Sequence, residues 1–417
     1  MSQQYDAIVM GCGPAGAACA AVLASKGRKV VVLEREKFPR YHIGESLIPY
    51  TYFPLERLGM IEKMKASHFP KKYSVQFVNP NGRVSEPFYF FQHLKHEASC
   101  TWQVLRSEFD QMLMDNARQK GATVLEQTTA RELLRDGDRV IGVRAAGPDG
   151  NSTDYYAHFT VDATGRDAFA VSRNGWKIRD AYLNKIAIWT YYDGAQRDPG
   201  LDEGATTVAY VAEKGWFWYI PLPGNSVSVG IVAERDYLYK DSRDPEAIFQ
   251  REIGNNAWIQ QHLAPGRQVG PYQVTGEFSY RSRYCASDGL VLIGDAFAFL
   301  DPVFSSGVFL ALRSGELAAD TIDDALKESD TSAVRFAAYG EEMRQGLEAM
   351  RRLVYAFYDH NFSFGKVIRD NPHLAGDLTD CLIGNLLIDF DPLFEAIGRF
   401  AAVPAPLEHG TPLVSVR

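Results

Sequence analysis

The chain has little cysteine: five residues in 417, at Cys12, Cys19, Cys100, Cys285 and Cys381. Their spacing holds no metal-ligand pattern, so no metal site is expected, and their odd count fits a reduced cytoplasm. A basic excess is missing as well. Lys and Arg number 44 against 52 Asp and Glu, a net charge of −8, whereas nucleic-acid binding needs a basic footprint. No apolar run is long enough to span a bilayer. The start, Met1-Ser2-Gln3-Gln4-Tyr5, lacks the basic segment and apolar core of a signal peptide. These absences predict a soluble cytoplasmic protein with neither nucleic acid nor membrane as partner. There is no repeat, low-complexity stretch or long linker. Tryptophan is also scarce, with 6 in the whole chain, which gives weight to any short run that holds two.

What is present begins with a nucleotide-binding pattern. Ala7-Ile8-Val9-Met10 is an apolar strand that runs into Gly11-Cys12-Gly13-Pro14-Ala15-Gly16 and the small-residue helix Ala17 to Ser25. A second strand, Lys29-Val30-Val31-Val32-Leu33, ends at Glu34. This is a βαβ unit with the dinucleotide fingerprint in its required context. Gly11 permits the tight turn, Gly13 lets a pyrophosphate approach the backbone, and Gly16 lets helix and strand pack closely. Pro14 and Ala15 open the helix, whose free amides and dipole hold phosphate. Glu34 stands where a carboxylate accepts hydrogen bonds from ribose hydroxyls, and Arg35 and Arg40 follow as further candidate contacts.

Later segments resemble the flavin monooxygenase superfamily. Val291-Leu292-Ile293-Gly294-Asp295-Ala296 and Val161-Asp162-Ala163-Thr164-Gly165-Arg166 are strands ending in Gly-Asp and Ala-Thr-Gly. The resemblance implies FAD contacts at Asp295, Thr164 and Gly165. It also implies an arginine near the phosphates at Arg106 and an early loop beside the flavin at Gly44-Glu45-Ser46. There is no second Gly-x-Gly-x-x-Gly, so a separate flavin reductase is the expected source of reduced cofactor.

Two further motifs carry the chemistry. In Gly215-Trp216-Phe217-Trp218-Tyr219-Ile220-Pro221, period-2 spacing puts both indoles on one face of a strand. Trp216-x-Trp218-x-Ile220-Pro221 matches the Trp-x-Trp-x-Ile-Pro motif of flavin-dependent halogenases. Phe299-Leu300-Asp301-Pro302-Val303-Phe304-Ser305-Ser306-Gly307 matches their Phe-x-x-Pro-x-x-Ser-x-Gly motif. The resemblance covers most of the chain, from the first strand to the helix near residue 326. The early part, Gly44-Glu45-Ser46-Leu47-Ile48-Pro49, looks most like the phenol and carrier-bound pyrrole halogenases of that family.

The resemblance implies FAD as FADH2, with chloride or bromide as co-substrate and an indole barrier, Trp216 and Trp218, between flavin and organic substrate. Ser305-Ser306-Gly307 opens a helix, and unpaired amides at the positive end of a helix dipole suit an anion. The family places halide beside the amides matching Ser306 and Gly307, with Pro302 fixing the turn and Asp301 a candidate to face the ring. It uses a lysine to hold hypohalous acid. Lys72, five positions before Phe77, has the matching spacing, with Lys71 as an alternative. Alternation puts Lys72, Ser74 and Gln76 on one face and Tyr73, Val75 and Phe77 on the other.

One departure bears on substrate. Tryptophan halogenases carry a glutamate before the motif serine, and this chain has Phe304. The expected substrate is therefore a small electron-rich aromatic, a phenol or pyrrole, free or on an acyl or peptidyl carrier protein. The expected fold is α/β: an FAD-binding Rossmann-like domain (GR2-type, p-hydroxybenzoate hydroxylase-like; 1–68, 102–180 and 280–330), an inserted β-sheet substrate domain (69–101 and 181–279) and a C-terminal helical segment (331–417). The aromatic run Tyr355, Phe357, Tyr358, Phe362 and Phe364 reads as core, and Arg344, Arg351 and Arg352 as a solvated helix face. The rival readings are an aromatic hydroxylase or polyprenyl-type reductase on the same fold, and a flavin-binding protein without turnover.

Overall fold

The computed structural model describes residues 4–211, 215–276 and 279–414; Met1-Ser2-Gln3, used above to read the amino terminus, lies outside them. Val30–Leu33 is apolar throughout and buried at every position. Such uniform burial belongs to a parallel strand covered on both faces. Gln4–Met10 pairs in parallel with Val30–Leu33 on one side and Ser152–Asp162 on the other. Leu290–Leu292 pairs in parallel with Ser152–Asp162. These strands are the centre of a nine-stranded sheet. The helix Pro14–Ser25 packs on this sheet and against the long helix Gly307–Lys327.

Glycine sets the spacing at the first turn. Gly11 has φ +100°, and a Cβ there would lie 2.4 Å from the Ala163 carbonyl oxygen. A Cβ at Gly16 would lie 2.1 Å from the Gly11 carbonyl oxygen. At Gly13 it would meet only the Arg40 guanidinium, at 3.6 Å. Two of the glycines therefore let backbone approach backbone, while Gly13 faces open space.

A second sheet has seven strands, in the order Arg267–Gly276, Lys185–Asp193, Ser226–Glu234, Gly215–Pro221, Thr206–Val211, Ser74–Val78 and Phe88–Tyr89. Gly215–Pro221 lies inside it and is buried along its length. Period 2 divides its side chains. Trp216, Trp218 and Ile220 enter one apolar cluster, with Val303, Phe304 and the C-terminal helices. Phe217 and Tyr219 enter another, with Phe249 and Trp258. Gly230 stands opposite Trp218 across the ladder. A Cβ there would lie 2.2 Å from the Trp218 ring, so glycine leaves the indole room to lie across the neighbouring strand.

Lys71–Lys72 does not belong to this sheet. It makes its own two-residue ladder with Thr101–Trp102, while the Tyr73 carbonyl, accepting the Phe90 amide, continues the pairing of Ser74–Val78 with Phe88–Tyr89. The alternation nonetheless holds, with Lys72, Ser74 and Gln76 buried and Tyr73, Val75 and Phe77 half-buried. The second long C-terminal helix runs Ala337–Phe357, after a tight turn at Ala333–Phe336. Its basic residues are all paired, contrary to the solvated face expected. Arg351 is buried on Glu348, Arg352 reaches Asp391, and Arg344 reaches Glu341. Among the described residues no helix is long and apolar enough to cross a membrane.

Gly16→Val should lower the thermal unfolding midpoint by several degrees, because the clash is with backbone that cannot move aside. Gly13→Ala should leave it nearly unchanged. Circular dichroism melts of the two variants check this; equal melting for both would mean the helix does not approach the turn as described.

Candidate active site

One cavity of about 360 Å³ collects nearly all the candidate cofactor residues. Gly11, Gly13, Pro14, Ala15, Glu34, Arg35, Arg40, Ser46, Arg106, Thr164, Gly165, Asp295, Pro302 and Gly307 line it, as do Trp216, Trp218 and Ser305. Gly16 does not, since it is packed behind Gly11. Ser306 and Lys72 do not either, and their positions are described below.

The end at Glu34 suits a ribose and phosphates. Glu34 is buried, and its oxygens accept the Cys12 amide at 2.7 Å and the Glu36 amide at 2.8 Å. Arg35 pairs with Asp167, and Arg40 with the buried Asp110 at 3.1 Å. Arg106 is heavily engaged. Its Nε and Nη2 donate to Asp110 at 2.8 and 3.0 Å, and its Nη1 donates to the Ile43 and Gly44 carbonyls at 2.8 and 3.2 Å. This arginine therefore clamps the loop that carries Glu45 and Ser46. Thr164 caps its turn through Asp162, its Oγ1 donating at 2.7 Å. The open approach at Gly13 and the amides opening the Pro14–Ser25 helix both fit FAD.

The other end is walled by aromatics. The Trp216 and Trp218 ring centroids lie 6.2 Å apart, and a third indole, Trp189, lies 6.2 Å from Trp218. Trp216 Nε1 donates to the Tyr358 hydroxyl at 2.8 Å, which donates to Asp301 Oδ2 at 2.7 Å. Asp301 Oδ1 accepts the Val303 amide at 3.2 Å. Asp301 thus does not line the cavity, contrary to the expectation that it faces the ring; burial raises its carboxyl to about 6. Trp218 Nε1 donates to Ser228 Oγ at 3.0 Å. Neither Tyr358 nor Trp189 was singled out from the sequence as a partner of the motif. Tyr358 stood in an aromatic run that reads as core, and nothing local marks its hydroxyl as the anchor of an indole 142 positions away.

At Ser305 the backbone turns left-handed, φ +57°, and Ser306 caps the helix Gly307–Lys327 without a side-chain bond. Among the described residues no protein acceptor takes the Ser306 or Gly307 amide. A Cβ at Gly307 would meet nothing within 4 Å. Beside it a separate void of about 10 Å³ is lined by Ser306, Gly307, Phe299 and Leu300 among others, about enough for one small particle. Phe304 is buried against Phe357.

Lys72 lies behind the cavity wall. It is 2% exposed, and its Nζ donates to Ser46 Oγ at 2.8 Å and to the Leu47 carbonyl at 3.0 Å. Ser46 Oγ in turn meets Thr206 Oγ1 at 2.8 Å, and Ser46 and Thr206 both line the cavity. Among the described residues no carboxylate accompanies the amine, and burial lowers it to about 7. Lys71, by contrast, is exposed.

The family model described as tryptophan halogenase matches residues 6–99 and 90–363. The chain belongs to the flavin-dependent halogenase family. It is 32% identical, over 92% of both chains, to the 1H-pyrrole-2-carbonyl-[peptidyl-carrier protein] brominase of Pseudoalteromonas luteoviolacea. It is 29% identical to the corresponding chlorinase of Pseudomonas fluorescens, over 97% of this chain and 96% of that protein. The solved structure of the flavin-dependent brominase Bmp2 superposes with a TM-score of 0.85 at 29% identity, covering 95% of this chain and 97% of that one. This halogenase is an oxidoreductase with an FAD-binding Rossmann-like fold that uses FADH2, oxygen and chloride or bromide. The hydroxylase, reductase and non-catalytic readings are not favoured.

Burial of Lys72 has a measurable consequence. Unfolded, its amine holds a proton up to about 10.5; folded, it releases it near 7. Between those values the unfolded chain binds the extra proton, so this group makes stability rise with pH, by roughly 1.4 kcal/mol per pH unit. Below about 7 its contribution is flat. Lys72→Met should remove that rise, which urea unfolding at about pH 7.5 and about pH 9 can measure. The same slope in both proteins would mean that the amine keeps its charge when folded.

Proposed function

We propose that this halogenase acts on a pyrrole held by a carrier protein, with Lys72 as the group that delivers the halogen. When bound, reduced FAD supplies the two electrons that turn oxygen and halide into hypohalous acid. The flavin would lie along the cavity from Glu34 and Arg35 to Pro302, held by Gly11, Gly13, Pro14, Ala15, Arg40, Ser46, Arg106, Thr164, Gly165 and Asp295. Gly16 holds the helix close beneath it. A separate reductase supplies the reduced cofactor, since the chain has one dinucleotide fingerprint.

The observation that carries the proposal is the position of the buried Lys72 amine, joined to the cavity wall by Ser46. Trp216 and Trp218 exclude the ring substrate from the flavin end. Ser306 and Gly307 offer amides to halide, and Ser305 sets the left-handed turn that aims them. Lys72 holds hypohalous acid by hydrogen bond or as a haloamine. A neutral amine accepts a halogen and an ammonium donates a hydrogen bond, and a group near neutrality can do either. The carrier-bound pyrrole is supported by the two relatives similar over nearly their whole length. Phe304, where a carboxylate would assist ring-proton loss, also favours an electron-rich ring. We retain the division into 1–68, 102–180 and 280–330 for flavin, 69–101 and 181–279 for substrate, and 331–417 as the covering helical segment.

Lys72→Ala should abolish halogenation while FAD still binds and oxygen is still consumed; Lys71→Ala should halogenate normally. Product mass beside oxygen uptake measures both, and undiminished product from Lys72→Ala would remove the lysine from the scheme. A crystal soaked in bromide should show anomalous density at the Ser306 and Gly307 amides. Density elsewhere in the cavity, with none there, would displace the halide site.

A further inference from the structure

Glu45 is a carboxyl group that the scheme above leaves without a task. It is 2% exposed yet lines the cavity. Its Oε1 accepts the Tyr191 hydroxyl at 2.9 Å, and that hydroxyl lies 2.9 Å from the Tyr41 hydroxyl. Tyr41 is 51% exposed, among the most exposed large hydrophobic side chains of the described residues. A continuous row of hydroxyl and carboxyl groups thus leads from the surface to the chamber. The other oxygen, Oε2, accepts Ser228 Oγ at 3.3 Å, and Ser228 accepts Trp218 Nε1.

The reaction needs such a row. Per turnover an aryl C–H, a halide ion, dioxygen, the two hydrogens of the reduced cofactor and one proton become an aryl halide and two waters. One proton must therefore enter from solution and reach the place where water forms. We propose that Tyr41, Tyr191 and Glu45 conduct this proton from solvent to the flavin end of the cavity. Glu45 gives its proton to the hydroxide-level oxygen that leaves as water and takes one from Tyr191. Tyr191 takes one from Tyr41, and Tyr41 takes one from solvent. No bond other than O–H is made or broken along the row, and each member ends as it began.

Several groups act on Glu45. Burial raises its carboxyl to about 7, against the bonds from Tyr191 and Ser228 and the charge of Arg106. Arg106 is itself held by Asp110 and also feels Asp295. The carboxyl therefore exchanges its proton near neutrality, where transfer in both directions is easiest. The path rests on the reading that Trp216 and Trp218 close the chamber.

The variants are Glu45→Gln, which keeps an acceptor oxygen but cannot titrate, and Tyr41→Phe, which cuts the row at its exposed end. In the flavin-free protein, infrared difference spectra should show a carboxylic C=O band titrating near pH 7 that is absent from Glu45→Gln. In the loaded enzyme, both variants should halogenate at least about tenfold more slowly, with peroxide released in place of product and FAD affinity unchanged. The solvent deuterium isotope effect should increase in Tyr41→Phe. Normal rates and coupling in Glu45→Gln, or no titrating band in the wild type, would overturn the path. Loss of FAD binding in Glu45→Gln with normal coupling in Tyr41→Phe would also overturn it, by making Glu45 a structural group. Halogenation by the wild type in the same assay tests the underlying activity separately.

Discussion

A buried indole must find an acceptor for its N–H, and this need organises the site. Leaving such a donor unpaired in an apolar wall costs about 1–3 kcal/mol. Trp216, Trp218 and Trp189 all stand in the wall, and each is satisfied by a hydroxyl: Tyr358, Ser228 and Tyr41. Each hydroxyl is in turn tied onward. Tyr358 donates to Asp301, beside the turn at Ser305, while Ser228 and Tyr191 both donate to Glu45, on the loop over the cavity. The wall is thereby registered against the turn on one side and the loop on the other. Gly230 completes the arrangement by leaving Trp218 room to lie across its neighbour.

Lys72 follows a different rule. An amine without a carboxylate partner in a dry site gives up its charge more readily than it stays buried as an ion. Ser46 and the Leu47 carbonyl satisfy its hydrogens without supplying a counter-charge. The loop 43–47 is fixed at several points: Ser46 contacts the amine, Glu45 the indole network, and the Ile43 and Gly44 carbonyls are clamped by Arg106. A short segment held in this way keeps the Lys72 amine and the Glu45 carboxyl at a constant separation.

What the sequence made legible was whatever depends on local spacing. The fingerprint from Gly11 to Gly16, the shared face of Trp216 and Trp218, and the helix opening after Ser306 all follow from periods of 2 or 3.6 and from glycine placement. Lys72 was legible only through its distance from Phe77 in a family pattern. Its separate ladder with Thr101–Trp102 was not, since the partner strand lies about thirty positions away and leaves no local mark. The partners that lock the wall come from distant segments, as when Tyr358 meets Trp216. Asp301 reads as a residue facing the flavin and is instead consumed by Tyr358. Arg351 reads as solvated because its spacing is helical, but the helix is covered on that side too and Glu348 compensates its charge. Contacts between remote segments leave no periodic trace.

The same low dielectric shifts the ionisable groups of the chamber. Burial moves Glu45 to about 7, Asp295 to about 6 and Asp301 to about 6, in each case toward the neutral acid. It moves Lys72 toward the neutral amine. Near neutral pH Glu45 is then about half-protonated, while Asp295 and Asp301 keep most of their charge. Hydrogen bonds gain strength where competing water is lost, so the unpaired Ser306 and Gly307 N–H groups and the helix dipole behind them would act on an anion held there with little screening. A carboxylate at position 304, in place of the buried phenyl ring, would put a full negative charge immediately before that turn. Phe304 avoids this, and the cost is borne by the substrate, which must be electron-rich enough to lose its ring proton without a carboxylate's help.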